Sequence, residues 1–307
     1  MKTILISLLL LVPLVVLPLT VLVGDRPILP HSGELEGALR PGLEYLPEDS
    51  ILIERLLREA KESRGETPRT LWFGQQFLGR PYVAHTLENG TEEHLIVNTR
   101  GLDCTTFVET VAALSLCDSH GQRTFGDFCR WLQKLRYRQG QIDDYTSRLH
   151  YFTQWGEDNE QMGLVENILE LFDYDGFATQ TVRINYMSQH PDLYKHLKRN
   201  PHFVPVIRQQ ERAVSGKRFR YLPKSRLNAS SRELSFIHTG DIVAIITSKE
   251  GLDTSHLGFA VWQNGSLHLM HASSLYKKVV LDTKTFYDYS QGQRGQLGIR
   301  VFRIVED

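Results

Sequence analysis

Toward its C-terminus the chain alternates apolar and polar positions in short runs separated by turn residues. These runs are Gly240–Thr247, His256–Trp262, Leu267–Ser273, Lys277–Leu281 and Ile299–Val305. They are rich in Val, Ile and Phe at a period of two, which predicts five strands arranged as a meander. Upstream the period changes. Ile51, Leu52, Leu56, Leu57 and Ala60 recur at helical spacing and predict a helix over 50–63, with Asp49 or Ser50 as its cap. A short helix follows over 70–78, before the turn Gly79-Arg80-Pro81, and another covers Phe125–Leu135. Between them Phe107, Val111 and Leu114, flanked by Val108 and Ala112, form an apolar helical stripe. Helices first and an antiparallel sheet afterwards predict an α+β fold. We read 50–307 as one domain, with the less regular stretch 136–235 as an insertion.

The N-terminus breaks the pattern. After Lys2, residues 4–23 are apolar apart from Ser7, Pro13, Pro18 and Thr20, long enough to span a hydrocarbon core and also similar to a long signal sequence. Residues 1–24 therefore read as a signal or a membrane anchor, a buried helix being the third option. Leu22-Val23-Gly24 is a poor cleavage site, and the first cysteine is Cys104, which excludes a lipid-modified N-terminus. The Pro- and Gly-rich segment 25–49 reads as a linker. Either leading reading exports the rest of the chain.

Composition adds little except at two places. Net charge is −1, so the chain as a whole offers no electrostatic case for nucleic-acid binding. Within 195–226, however, ten Lys and Arg stand against the single acid Glu211, either a solvated basic face or an attractor of anionic ligands or membrane. The three cysteines, Cys104, Cys117 and Cys129, do not make a disulfide framework. Cys117 and Cys129 read as buried thiols or a pair, and an exported Cys104 is then either inert or kept reduced for its chemistry.

Asp103 is a good N-cap and places Cys104 in the first turn of its helix, where unpaired N–H groups and the helix dipole favour a thiolate. Asp103 itself opposes that effect unless its carboxylate is turned into the cap. The partner comes from a hairpin. Asn264-Gly265 is a strong two-residue turn signal, so Gln263 opposes Ser266, His256 opposes Ser273 and His271 opposes Gly258. His256 and His271 then lie on one face as diagonal neighbours, and His268 falls on the other with Leu257, Phe259, Val261 and Met270. Small Gly258 and Ala260 beside His256 leave room for the cysteine helix to approach. That layout suits a thiol nucleophile, an imidazole base and a third group orienting the base. Zinc ligation by the two histidines is the competing reading, without a compact third and fourth ligand to complete it.

These residues resemble a known family. Asp103-Cys104-Thr105-Thr106-Phe107-Val108 is similar to the Asp-Cys-Ser-Gly-Phe-Val signature of NlpC-type, papain-like cell-wall hydrolases. Ser255-His256-Leu257-Gly258, His271-Ala272-Ser273 and Leu78-Gly79-Arg80-Pro81-Tyr82-Val83 resemble further segments of theirs. Thr86-Leu87-Glu88, Ser147-Arg148-Leu149-His150-Tyr151, Met187-Ser188-Gln189-His190-Pro191 and Gly240-Asp241-Ile242 extend the likeness to the N-acetylmuramoyl-L-alanine amidase-like branch, over about 50–305. Thr105-Thr106 in place of Ser-Gly departs from the commoner signature and changes the floor of the pocket.

The resemblance implies a papain-like fold with Cys104, His256 and His271 as catalytic triad, Tyr82 in the site and Arg148 along the substrate groove. It implies hydrolysis of the muramoyl-L-alanine amide in peptidoglycan fragments through a thioester, with no cofactor and no metal. A γ-D-glutamyl-diamino acid endopeptidase would use the same triad, and a non-catalytic peptidoglycan-binding protein would need none of it. Residues 4–23 add an expectation of periplasmic location and association with the inner membrane.

Overall fold

Pro47 at the first turn and Asp49 behind it start the first long helix. The Asp49 carboxylate accepts the Leu46 N–H at 2.9 Å and the Thr99 N–H at 2.8 Å, so a buried acid caps the helix and pins a distant loop to it. In this computed structural model residues 42–306, apart from 64 and 66, are described. The apolar segment 4–23 and most of the expected linker lie outside the described residues. Among the described residues no helix is long and apolar enough to cross a membrane.

The first strand, β1 (Leu43–Glu44), falls inside the stretch read as linker and precedes α1 (Pro47–Glu62) and α2 (Arg69–Gln75). It pairs in parallel with β2 (Leu95–Ile96) as a separate two-stranded sheet. Next come α3 (Cys104–Ser119) and α4 (Phe125–Arg136), both at their predicted places. Every residue of α3 from Thr106 to Cys117 is buried, so the helix is enclosed on all sides rather than on one stripe. Enclosure also buries Glu109, which is matched by Arg136 of α4: Nε donates to its carboxylate at 2.7 Å, and both side chains are sealed from water.

The stretch predicted as an insertion contributes to the main sheet. It contains α5 (Phe152–Gln161), β3 (Val165–Asn167), α6 (Ile168–Leu171), β4 (Ala178–Thr181), α7 (Tyr186–Gln189), α8 (Lys195–Arg199), α9 (Phe203–Val214) and β5 (Arg218–Pro223). Its basic residues fall in and around α8, α9 and β5. Lys217 pairs with Glu157 at 2.8 Å, and Arg220 with Glu170 and Asp173.

Four of the five predicted C-terminal strands follow as a meander: β6 (Ile242–Thr247), β7 (Thr254–Gln263), β8 (Ser266–Ser273) and β9 (Lys278–Leu281). The fifth departs from the expected order. After a short helix, α10 (Phe286–Gln291), β10 (Gln296–Ile304) crosses back and pairs with β6. The strand order is β4-β5-β10-β6-β7-β8-β9, all antiparallel, with β3 also on β10. The outer edge of β9 is already taken by the segment 79–82, where Pro81 opposes Lys278 and the Val279 N–H donates to the Arg80 carbonyl oxygen at 2.8 Å, whereas β10 fills the space beside β6 and accepts the insertion's strands on its far side.

The sheet separates two cores. Helices α1 to α4 pack on the face carrying Leu257, Phe259, Met270 and Ala272, and the ring of Phe107 meets Phe259 edge-on at 5.6 Å. Ala260, Leu267, Leu269 and Val301 face the opposite way, against Ile168 and Phe286. A third cluster gathers Tyr145, Tyr151, Met187, Leu197 and Ile207 around the inserted helices.

Candidate active site

The cysteine position is built by its helix cap. Asp103 Oδ1 accepts the Thr106 N–H at 2.8 Å, and the Thr106 hydroxyl accepts the Asp103 N–H at 2.9 Å, a reciprocal capping box that fixes the first turn of α3. Thr106 is therefore buried in the cap, and Thr105 is the one of the two threonines that lines the neighbouring cleft. The sulfur of Cys104 is met by the Leu257 N–H of β7, one residue past His256. Cys104 is a free thiol, as are the buried Cys117 and Cys129.

The hairpin has the predicted register: Gln263 opposes Ser266 and Phe259 opposes Met270. His256 and His271 accordingly share a face, and His256 Nε2 lies 2.5 Å from His271 Nδ1, their rings edge-on. His268 stands on the other face, with Nδ1 at 3.0 Å from the Asp282 carbonyl oxygen. One expectation is corrected. The cysteine helix packs on the Leu257–Phe259–Met270 face, not on the face with Gly258 and Ala260. A Cβ built on Gly258 would lie 2.7 Å from the Met270 carbonyl oxygen and 3.0 Å from His271 Cβ, so the missing side chain makes room for His271. Cys104 lies against the start of β7, next to the register shift between Ile245 and Ile246, where Ser255, His256 and Leu257 all open onto the cleft.

That cleft, about 550 Å³, brings Cys104 and His256 together with Glu88, Tyr145, His150 and Lys195. Burial pushes the Cys104 thiol up to about 12, Asp103 adding to the effect, against the N–H groups from Leu257 and Thr105. Burial likewise pushes His256 down to about 4, and burial with the neighbouring His256 pushes His271 to about 3. The resting pair is thus a thiol and a neutral imidazole, not the thiolate that a helix N-terminus alone would favour. Tyr82 packs near Cys104 outside the cleft lining. Burial, then the fields of Cys104 and Asp103, push its phenol up to about 12, leaving it a hydrogen-bond donor.

Arg148 stands behind the cleft rather than in it. It is 5% exposed, its Nη2 donates to Glu88 at 3.0 Å and its Nε faces Glu93 at 3.3 Å. Its connection to the cleft runs through Glu88, which the wall does contain. Sequence reasoning missed Glu88, Tyr145 and Lys195 as wall residues, because loops and an irregular insertion deliver them. It also missed Asp282, whose Oδ2 lies 3.8 Å from His271 Nε2. Continuing the alternation through β9 would have found it, since Val280 opposes His271 and Asp282 follows two residues later on the same face. Among the described residues, no group of three or more His, Cys, Asp or Glu is set to hold a metal ion.

Comparison with known proteins gives first a class. The chain is similar to a crystallised N-acetylmuramoyl-L-alanine amidase from Bacteroides uniformis, 40% identical over 77% of this chain and 97% of that one, with a TM-score of 0.72. A Bacteroides fragilis protein described as a candidate xylanase is 42% identical over 76% of this chain and 100% of its own, with a TM-score of 0.71. A Legionella pneumophila protein at 22% identity and a TM-score of 0.66, covering 84% of this chain and 95% of that one, shares the fold. No curated protein matches. These likenesses put the chain among amidase-like hydrolases. Its family follows from the model that matches residues 72–298: the chain belongs to the AmiA-like, N-acetylmuramoyl-L-alanine amidase-like family.

Proposed function

We propose that the protein is a papain-like, NlpC-type thiol amidase that hydrolyses the bond between N-acetylmuramic acid and L-alanine in peptidoglycan fragments. The observation that carries this reading is the meeting of Cys104, at the capped start of α3, with His256 in one cleft, backed by the 2.5 Å contact between His256 and His271. His256 Nε2 is taken up by His271, so Nδ1 is the nitrogen left to receive the thiol proton. Because the resting thiol is held up and the imidazole is held neutral, proton transfer accompanies attack on the substrate carbonyl. The sulfur forms a thioester, the proton passes from His256 to the departing amine, and water then releases the acid with His256 as base. N–H groups at the start of α3 stabilise the oxyanion, with the Tyr82 phenol as a further donor. Arg148 acts by holding Glu88 in the cleft wall.

The candidate xylanase among the similar structures raises a glycosidase reading, which requires two carboxyl groups flanking the sugar bond. The cleft offers Glu88 and Asp253, but Glu88 is paired with Arg148, and buried Asp253 accepts the Thr153 N–H at 2.6 Å. The amidase reading fits the free groups better. Export through residues 4–23 would bring the enzyme to wall fragments in the periplasm, tethered to the inner membrane if the segment is retained.

The test is mass analysis of defined muropeptides after incubation with the protein and with Cys104→Ala. Release of the whole peptide from the sugar supports the amidase, and a severed peptide still bearing sugar supports the γ-D-glutamyl endopeptidase. Equal product from Cys104→Ala overturns the thiol mechanism.

A further inference from the structure

We infer that Asp282 is a fourth member of the site, a positioning residue that selects the His271 tautomer and through it the nitrogen on which His256 can act as base. His271 and Asp282 are 1% and 2% exposed, yet His271 Nε2 and Asp282 Oδ2 have no hydrogen-bond partner and lie 3.8 Å apart. A shift of about 1 Å would bring the two atoms to ordinary hydrogen-bond distance. Catalytic hydrogen bonds tighten in this way on going from the free to the occupied site. The other oxygen, Oδ1, accepts the Lys284 N–H at 2.9 Å, and the Asp282 N–H donates to the Leu269 carbonyl oxygen at 2.9 Å, so the carboxylate is held in place.

Proton accounting gives the arrangement its meaning. To receive the Cys104 proton on Nδ1, neutral His256 must carry its own proton on Nε2. That proton is donated to His271 Nδ1, so His271 must carry its proton on Nε2, the atom facing Asp282. When the thiol proton arrives, the positive charge on His256 is opposed by a buried carboxylate one ring away, and no proton needs to leave the histidine pair. A neutral donor at position 282 would reverse every bond in the row and leave the His256 proton on the wrong nitrogen.

The inference rests on the thiol reading, and one set of variants separates the two. Asp282→Asn keeps an oxygen for the Lys284 N–H but offers its amide N–H to His271; Asp282→Ala offers nothing. An orienting carboxylate changed to amide costs about 10⁴ in kcat when it touches the base directly, so roughly 10² is expected one imidazole away, with KM within about threefold. Asp282→Asn should then be slower than Asp282→Ala. If the aspartate serves only its turn, the order reverses: Asp282→Asn stays within about threefold of the parent and Asp282→Ala is the damaged one. That result overturns the inference. Should either variant fail to fold, ¹⁵N NMR of the imidazoles in the unaltered protein decides: a proton on His271 Nε2 supports the relay, and a proton on Nδ1 overturns it. Loss of the thiol reading itself would appear instead as full activity in Cys104→Ala.

Discussion

Replacing Gly258 by Ala tests how the histidine pair is accommodated. The new methyl would sit 2.7 Å from the Met270 carbonyl oxygen, 2.8 Å from Leu269 Cδ1 and 3.0 Å from His271 Cβ. The leucine methyl can swing aside, but the other two atoms belong to the backbone and first side-chain carbon of β8. That strand is held on both edges, Met270 opposing Phe259 on β7 and Leu281 on β9. Relief of the overlap therefore requires the hairpin to open by about 0.5 Å, and overpacking of this kind costs about 1–3 kcal/mol. At about 2–4 °C per kcal/mol for a domain of this size, Tm falls by roughly 2–12 °C. The same opening lengthens the His256–His271 contact. Since 1 Å of misplacement costs about 10²-fold, kcat should fall about tenfold. Gly74→Ala is the comparison. Its methyl would overlap the terminal methyl of Met270 more severely, but that is the end of a flexible thioether. Stability there should change by less than about 1 kcal/mol, since Ala also favours helix α2. Calorimetry and steady-state hydrolysis of a defined muropeptide read both quantities. Unchanged Tm and kcat in Gly258→Ala would refute the idea that the absent side chain makes room for His271.

Three further outcomes follow from the same reasoning. Hydrolysis should decline on the acid side only as pH falls through about 4, where His256 becomes protonated, as a kcat/KM profile would register. Stability should decline earlier: His150, His256 and His271 lie at about 3, 4 and 3 when folded, so the unfolded chain takes up protons first below its ordinary value near 6.5, and denaturant titration at pH 5 should show about 2 kcal/mol lost per histidine relative to pH 7. Glu109→Gln should cost about 3–5 kcal/mol by stranding the Arg136 guanidinium in the core, with Glu109→Leu combined with Arg136→Met costing less than the single change in the same titration.

The pattern along the chain carried the helices well, because α1, α3 and α4 each repeat apolar residues at helical spacing and two of them begin at a strong side-chain cap, Asp103 and Thr124. It carried four strands and the hairpin register for the same local reasons. It did not carry strand order. Whether β10 follows β9 or returns to β6 depends on which edge is left free, and the short β3, β4 and β5 reveal themselves only by their pairing with one another or with β10. Nor does local pattern announce that α3 is buried on every side, since Glu109 reads as a surface acid until Arg136 is placed beside it.

The histidine pair was legible because alternation is a strict rule within a paired hairpin, and two residues on one face at diagonal positions must meet. Alternation is silent about what covers each face. The small residues Gly258 and Ala260 suggest space for the cysteine helix, but the helix packs on the large apolar residues of the other face. The vacated space beside Gly258 goes to His271 instead. Carried one strand further, the same rule places Asp282 beneath His271, two residues beyond its partner Val280. The proposed site thus follows one face of the sheet, from His256 on β7 through His271 on β8 to Asp282 just past the end of β9. Cys104 comes from elsewhere, and it meets the sheet at the irregular start of β7, where His256 and Leu257, on opposite faces, both line the cleft.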